Sequence, residues 1–188
     1  MKTNGLLGIV VLFFFIAGFI GCNDDEPKFS SDQIQQALFD MKGTYNGTVK
    51  VSYYKGKTIA DFPDEIAVSK DSLTFSLSLL PVAETIKDEN ISQCLREIGE
   101  VEVKAGYEFY QMEQGSIHFV LHPKDVTIVG GHGVSPSIRI VFSHNFGGDA
   151  EAYQQFMMFN ISPVELWIDD KKSEDFSQLV YHFQGTYN

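Results

Sequence analysis

Alternating apolar and polar positions dominate the chain, and they are clearest between residues 72 and 79. Leu73, Phe75, Leu77 and Leu79 share one face of this stretch, while serine and threonine occupy the other face. A period of two is typical of a β-strand with one buried face and one face in water. The stretch is therefore predicted to be a strand of an antiparallel sheet.

The same period recurs between clusters of turn residues along most of the chain. Further strands are predicted at 44–54, 100–112, 116–122, 125–129, 137–143, 150–161, 163–168 and 176–184. Lys55-Gly56-Lys57 is predicted to be a hairpin turn after the first of them. Phe156, Met157 and Phe159 also fit a buried helical turn, and only the neighbouring strands favour a strand over 150–161.

Helical spacing appears in two segments. Ser30 and Gln33 form a capping box, an apolar face follows from Ile34 to Met41, and Gly43 is a natural stop. The second helical segment covers residues 81–98 and interrupts the strands.

These elements indicate a mainly β protein with a minor α part. We expect a single β-rich domain over 30–188, an antiparallel meander of about eight strands that closes into a barrel or folds into a sandwich. Gly43-Thr44-Tyr45-Asn46 opens the first strand, and the same four residues end the chain at 185–188. This repeated tetrad predicts that the first and last strands lie side by side, as in an up-and-down barrel.

The chain begins with a charged residue, Lys2, and an apolar run from Leu6 to Ile20. The run is short and thinned by glycines, whereas a membrane span needs about 20 apolar residues. Residues 1–21 are therefore predicted to be a cleaved signal peptide.

Phe19-Ile20-Gly21-Cys22 resembles the lipobox of bacterial lipoproteins, with Phe19 where the family usually has an aliphatic residue. The resemblance implies cleavage between Gly21 and Cys22, a diacylglycerol on the Cys22 sulfur and a fatty acid, such as palmitate, on its amine. The membrane, reached through these acyl chains, would be the first partner, and several chains make anchoring stable.

The predicted tether at 22–29 contains Asn23, Asp24, Asp25 and Glu26. This acidic tract resembles the surface-export signal of Bacteroidota-type lipoproteins, which implies an outward-facing location on the outer membrane. The proteobacterial sorting rule would instead retain the protein at the inner membrane, and a periplasm-facing position is a further alternative. The whole chain is similar to small Bacteroidota-type lipoproteins that carry domains of unknown function.

The net charge and the number of cysteines limit the binding partners and the disulfide bonds that can be expected. Without residues 1–21 the 188-residue chain has 167 residues, and loss of Lys2 takes its formal net charge from −11 to −12. Such an acidic body excludes nucleic acid as a partner. With Cys22 acylated, no intramolecular disulfide can form, and Cys94 falls on the apolar stripe of its helix as a small buried hydrophobe.

The opening helix, the Gly43-x-Tyr45 start of the first strand and the following meander resemble lipocalin-type barrels. Tyr45 stands where the lipocalin pattern has tryptophan. The resemblance implies a barrel fold and a small ligand.

No catalytic residue, cofactor or metal site is assigned. His118 and His122 lie on one strand, about 13 Å apart, which is too far for a shared metal. Gly130-Gly131-His132-Gly133 is interpreted as a strand connection, and the charged segment 169–175 as a solvated hairpin.

Two further groups of residues are candidates for binding or hydrolysis. Asp61, Asp64 and Glu65, interpreted as loop residues around Pro63, are candidate paired carboxylates for glycoside cleavage. An outward tyrosine row is a candidate glycan or apolar surface. The aromatic residues on predicted strands are Tyr53, Tyr54, Tyr107, Phe109, Tyr110, Trp167, Tyr181 and Phe183.

Three functions remain open, and the sequence favours a non-enzymatic function over an enzyme. A non-enzymatic binding module for a small apolar or glycan ligand requires a concave pocket with convergent polar groups. An accessory surface protein acting through protein contacts requires a filled core and an exposed apolar patch. A hydrolase requires a nucleophile, a base and an orienting group within reach. The sequence leaves the oligomeric state open.

Overall fold

The computed structural model describes residues 29–113, 115–129 and 136–187. The helices in this part of the chain are α1 (Ser31–Met41), α2 (Leu80–Ala83) and α3 (Glu89–Ile98). Its strands are β1 (Gly43–Tyr53), β2 (Thr58–Val68), β3 (Leu73–Ser78), β4 (Glu100–Glu113), β5 (Ser116–Pro123), β6 (Val126–Ile128), β7 (Ile138–Phe142), β8 (Gly147–Glu151), β9 (Phe156–Ile161), β10 (Pro163–Ile168), β11 (Lys171–Lys172) and β12 (Leu179–Tyr187).

Eight of these strands form a closed antiparallel barrel. Their order around the barrel is β1, β12, β9, β8, β5, β4, β3 and β2. The remaining four strands lie outside the barrel and form two antiparallel pairs, β6–β7 and β10–β11. These pairs join through β7 and β10 into a second sheet with the strand order β11, β10, β7, β6. The predicted mainly β class and the barrel alternative are thus confirmed, with a four-stranded sheet in addition.

The first and last strands of the barrel are neighbours, as the repeated tetrad predicts. β1 and β12 pair antiparallel from Tyr45 opposite Tyr187 to Tyr53 opposite Leu179. Gly47 and Gly185 face each other within the pair. This pairing removes the two edges that an open eight-stranded sheet would expose.

Aromatic side chains fill the barrel interior. β3 and β9 lie on opposite sides of the barrel, yet the rings of Phe75 and Phe159 meet edge to face with centroids 5.8 Å apart. Phe183 stacks on Phe159 at 5.1 Å, and Tyr181 contacts Phe75 at 6.3 Å. An eight-stranded barrel has an interior just wide enough for side chains to fill, and these rings meet across it.

Helices lie at both ends of the barrel. Ala37 and Met41 of α1 are buried, and a shallow hollow runs between α1 and the hairpin that joins β4 to β5. Since that hairpin lies across the barrel from β1, where the helix ends, α1 spans the mouth. The predicted helical insertion is two helices, α2 and α3, which bury Val82, Ala83 and Leu95. No helix in the described ranges has the length and apolar character to cross a membrane.

The prediction of a loop around Pro63 is wrong, because residues 58–68 form the strand β2. β2 pairs with β1 along its whole length, but with β3 only at Ala67 and Val68. Most of its other side is therefore an edge within the described structure, where a proline costs no ladder hydrogen bond. Pro63 and the acidic side chains obscure the alternating pattern of this strand in the sequence. Proline and charged residues are common on edge strands, where they prevent pairing with another chain.

The segment 150–161 is not one strand. Its first two residues end β8, a turn covers 152–155, and β9 begins at Phe156. The predicted signal peptide 1–21, Cys22, the tether up to residue 28 and the glycine-rich segment 130–133 lie outside the described residues.

Candidate functional site

A groove of about 480 Å³ opens on the outer face of the barrel, where β4, β5 and β8 lie side by side. We call it the outer groove. Its lining residues are Tyr110, Phe119, Val120, Asn145, Gly147, Gly148 and Asp149.

Tyr110 lines the outer groove at a β-bulge in β4. The β4–β5 register shifts so that Phe109 pairs with Phe119 and Gln111 pairs with His118, which leaves Tyr110 as the extra residue. Bulges bend a strand and redirect a side chain. The Tyr110 ring is 44% exposed and lies 5.9 Å from the imidazole of His118.

Two glycines form the β8 side of the outer groove. A Cβ on Gly147 would lie 1.9 Å from the carbonyl oxygen of Phe119, and one on Gly148 would lie 2.0 Å from that of Met158. No side chain fits at these positions while β8 stays this close to β5 and β9. Both positions are therefore restricted to glycine, and both residues line the outer groove.

Asp149 is held in place by a histidine on the neighbouring strand. His118 is the cross-strand partner of Asp149, and its Nδ1 contacts Oδ1 of the carboxylate. The two side chains are 27% and 32% exposed, so the contact is partly shielded from water. This contact orients a carboxylate at the rim of the outer groove.

Ser116 completes a Ser-His-Asp connection on the same face. Its Oγ lies 3.4 Å from Nε2 of His118. The hydroxyl, however, donates to the Glu151 carboxylate at 2.7 Å, so its proton is directed away from the imidazole. The connection thus has the order of a hydrolase triad without the hydroxyl-to-imidazole hydrogen bond that activates a serine.

His118 and His122 both lie on β5, in agreement with the sequence prediction, and they have different partners. His122 Nε2 lies 2.8 Å from Oε2 of Glu108 on β4. Its Nδ1 lies 3.4 Å from Nδ1 of His144, in the connection between β7 and β8. Across the described ranges, no three His, Cys, Asp or Glu side chains are grouped to hold a metal ion.

The candidate carboxylate pair for glycoside cleavage is not formed. Side chains alternate along β2, so Asp64 faces the barrel while Asp61 and Glu65 face outward. Asp61 and Glu65 are four strand residues apart, about 13 Å. Burial raises the pKa of Asp64, whose Oδ2 is buried without a hydrogen-bond partner. These side chains therefore do not converge on one bond of a substrate.

The candidate tyrosine row is dispersed. Tyr107 and Phe109 stack on each other at 6.0 Å and pack against the core, whereas Tyr54 lies beyond the end of β1 and is 47% exposed. Tyr181 and Phe183 are core residues. Of the predicted aromatic surface, Tyr110 is the ring that lines the outer groove.

The other singled-out residues have structural roles. Cys94 is a free thiol on α3 that packs against the core. Residues 169 and 170 form the turn of the β10–β11 hairpin, where both adopt positive φ. Trp167 in that hairpin donates to Glu165 and lies under the guanidinium of Arg139 at 4.8 Å.

Sequence reasoning missed Asp149, Asn145 and the two glycines. Asp149 is 31 residues from His118, and only the β5–β8 pairing brings them together. A Gly-Gly pair before an acidic residue is typical of a loop rather than a strand, so no local signal marks β8.

The closed, eight-stranded antiparallel architecture defines a lipocalin-like β-barrel. The chain belongs to the family described as the domain of unknown function DUF4840, whose model matches residues 40–167. The match includes β1 to β9 and stops before β12, the strand that completes the barrel. No curated protein and no solved structure matches the chain.

Proposed function

We propose that this protein is a lipid-anchored binding module of a bacterial envelope, and that it holds a neutral glycan in the outer groove. The observation that carries the proposal is the combination of an exposed tyrosine with an oriented carboxylate in an open groove, on a barrel with aromatic rings packed across its interior. A lipocalin-type ligand inside the barrel would have to displace Phe75, Phe159 and Phe183.

The chemistry of the outer groove fits a sugar. One face of a sugar ring is lined by C–H groups that pack on an aromatic ring such as Tyr110, while its hydroxyls require donors and acceptors at the edge. Asp149 supplies acceptors, and the Asn145 amide supplies both. Gly147 and Gly148 complete the lining of the outer groove without side chains of their own.

A small apolar ligand fits less well. Apolar ligands bind where most of their surface is removed from water. The outer groove is open to solvent and has Asp149 and Asn145 on its lining, so an apolar molecule would leave much of its surface wet and desolvate a carboxylate.

The geometry favours binding over hydrolysis. Ser116 donates to Glu151, and the backbone amides of β5 face the β4 and β8 ladders, which leaves them unavailable as an oxyanion hole. We therefore assign His118 to positioning Asp149. If a fluorophosphonate, which reacts with activated serines, labels the wild type but not the Ser116→Ala variant, the protein is a serine hydrolase and not only a binding module.

Glycan binding is tested with a panel of immobilised neutral oligosaccharides. Wild type and Tyr110→Phe should bind the same sugars, while Tyr110→Ala should bind about tenfold more weakly, equivalent to about 1.4 kcal/mol. Tyr153→Ala is the control, since Tyr153 is 84% exposed and does not line the outer groove. Equal binding by Tyr110→Ala and wild type would reject the outer groove as the site.

The anchor is proposed from the sequence of residues 1–26 alone. We propose that the signal peptide 1–21 is removed, that Cys22 is acylated, and that Asn23 to Glu26 direct the protein to the outer face of the outer membrane. Mass spectrometry of the mature N-terminus should show an acylated Cys22, and Cys22→Ser should release the protein from membranes. Protease added to intact cells should degrade the domain, whereas protection would place it on the periplasmic side.

A further inference from the structure

We infer that His122 and His144 form a binding site for one divalent transition-metal ion, such as zinc or copper. The inference rests on their two Nδ1 atoms, which lie 3.4 Å apart. It is independent of the proposed glycan binding.

The separation suits a metal bridge. A metal bound about 2.0–2.1 Å from each imidazole nitrogen, with the nitrogens 3.4 Å apart, has an angle of about 110° between the two bonds. That is the tetrahedral angle zinc prefers. Imidazole nitrogens are also favoured ligands of copper and nickel.

Glu108 fixes the required tautomer of His122. When Nε2 of His122 carries the hydrogen, it donates to Oε2 of Glu108 at 2.8 Å, and Nδ1 keeps its lone pair for the metal. A carboxylate behind a ligating histidine orients the ring and raises its basicity. His144 needs hydrogen only on its own Nε2 for its Nδ1 to bind as well.

The connection that carries His144 is tied to neighbouring strands on both sides. Ser143 N donates to Ser162 O at 2.9 Å, and Phe146 O accepts from Leu121 N at 2.8 Å. Leu121 directly precedes His122, so this second bond holds His144 beside its partner. The imidazole pair is thus largely preorganised before a metal arrives.

Water would complete the coordination. The His122 side chain is 39% exposed and Glu108 is 68% exposed, and no third ligating side chain is grouped with them among the described residues. A site of this kind binds a metal reversibly and keeps open positions for an outside ligand.

The test is calorimetric titration of zinc chloride into the full-length protein, purified without an affinity tag. Wild type should bind one equivalent, His122→Gln and His144→Gln should each lose at least tenfold in affinity, and Glu108→Gln should lose about tenfold. His182→Gln is the matched control and should bind as wild type does. Thermal unfolding of each metal-free variant confirms that it is folded.

Copper provides a second readout. The electron paramagnetic resonance spectrum of the copper(II) complex should show hyperfine coupling to two nitrogens, reduced to one in His144→Gln. Wild-type affinity in either His122→Gln or His144→Gln, or loss of binding in His182→Gln, would overturn the proposed site.

Discussion

The aromatic rings of Tyr45 and Tyr187 meet edge to face, with centroids 5.8 Å apart, where the first and last strands of the barrel pair. The Tyr45 hydroxyl donates to Met41 O at 2.9 Å, at the end of α1. The Tyr187 ring also covers Gly43, where a Cβ would come within 2.0 Å of it. One tyrosine pair thus joins α1, β1 and β12.

Loss of the Tyr187 ring should weaken barrel closure. We expect Tyr187→Ala to lower the free energy of unfolding by about 1–2 kcal/mol, because an edge-to-face pair and its buried area are lost. Tyr187→Phe keeps the ring and should stay within about 0.5 kcal/mol of wild type. Urea unfolding of both variants measures the difference, and equal stability of Tyr187→Ala and wild type would show that the pair contributes nothing.

Gly148 and Gly106 offer a matched pair of glycine substitutions within strands. A Cβ at Gly148 would lie 2.0 Å from a backbone oxygen, whereas a Cβ at Gly106 would have nothing within 4 Å. Gly148→Ala should therefore cost about 2 kcal/mol or more, because β8 must move away from β9. Gly106→Ala should be neutral or slightly stabilising. Chemical denaturation compares them, and similar effects at the two sites would contradict the close packing of β8.

His182 should make stability fall in acid. Burial, together with the charge of Lys50, lowers the pKa of His182, and its ring contacts Asn160 Oδ1 at 2.7 Å. The unfolded chain then binds a proton more readily than the folded one. This contribution is present above about pH 6.5, the usual histidine value, and is lost as the pH falls through the lower folded-state pKa.

The matched variant for this pH dependence is His182→Gln, which does not titrate. Thermal unfolding should show wild type losing stability relative to His182→Gln as the pH drops below about 6.5. Above that pH, the difference between the two proteins should be constant. A difference that stays constant across the acid range would refute a lowered pKa.

Much of the barrel follows from local patterns, since the interior residues alternate. The 72–79 pattern coincides with β3 to within one residue at each end, and Pro163–Ile168 is recovered as β10. β2 and β8 were missed for opposite reasons. β2 is an edge strand with a proline in the middle, and β8 has glycines where a strand usually presents side chains.

The candidate site could not be predicted from the sequence, because its residues come from several strands that become neighbours only in the folded barrel. His118 and His122 were recognised as residues of one strand, but their partners Asp149, Glu108 and His144 come from other elements. Nothing in a single strand's pattern states which strand lies beside it. Tyr110 is predicted only as one of the aromatic residues on strands, while the bulge at this residue becomes visible in the β4–β5 register.

The central claim is that the ligand binds on the outside of a filled barrel. Its most direct measurement is an amide and aromatic NMR titration with the tightest-binding oligosaccharide of the panel. If the ligand binds in the outer groove, the signals of its lining residues shift, namely Tyr110, Asn145, Gly147, Gly148 and Asp149. The signals of the core rings Phe75, Phe159 and Phe183 do not shift. Shifts of the core rings without shifts in the outer groove would contradict the claim and place the ligand inside the barrel.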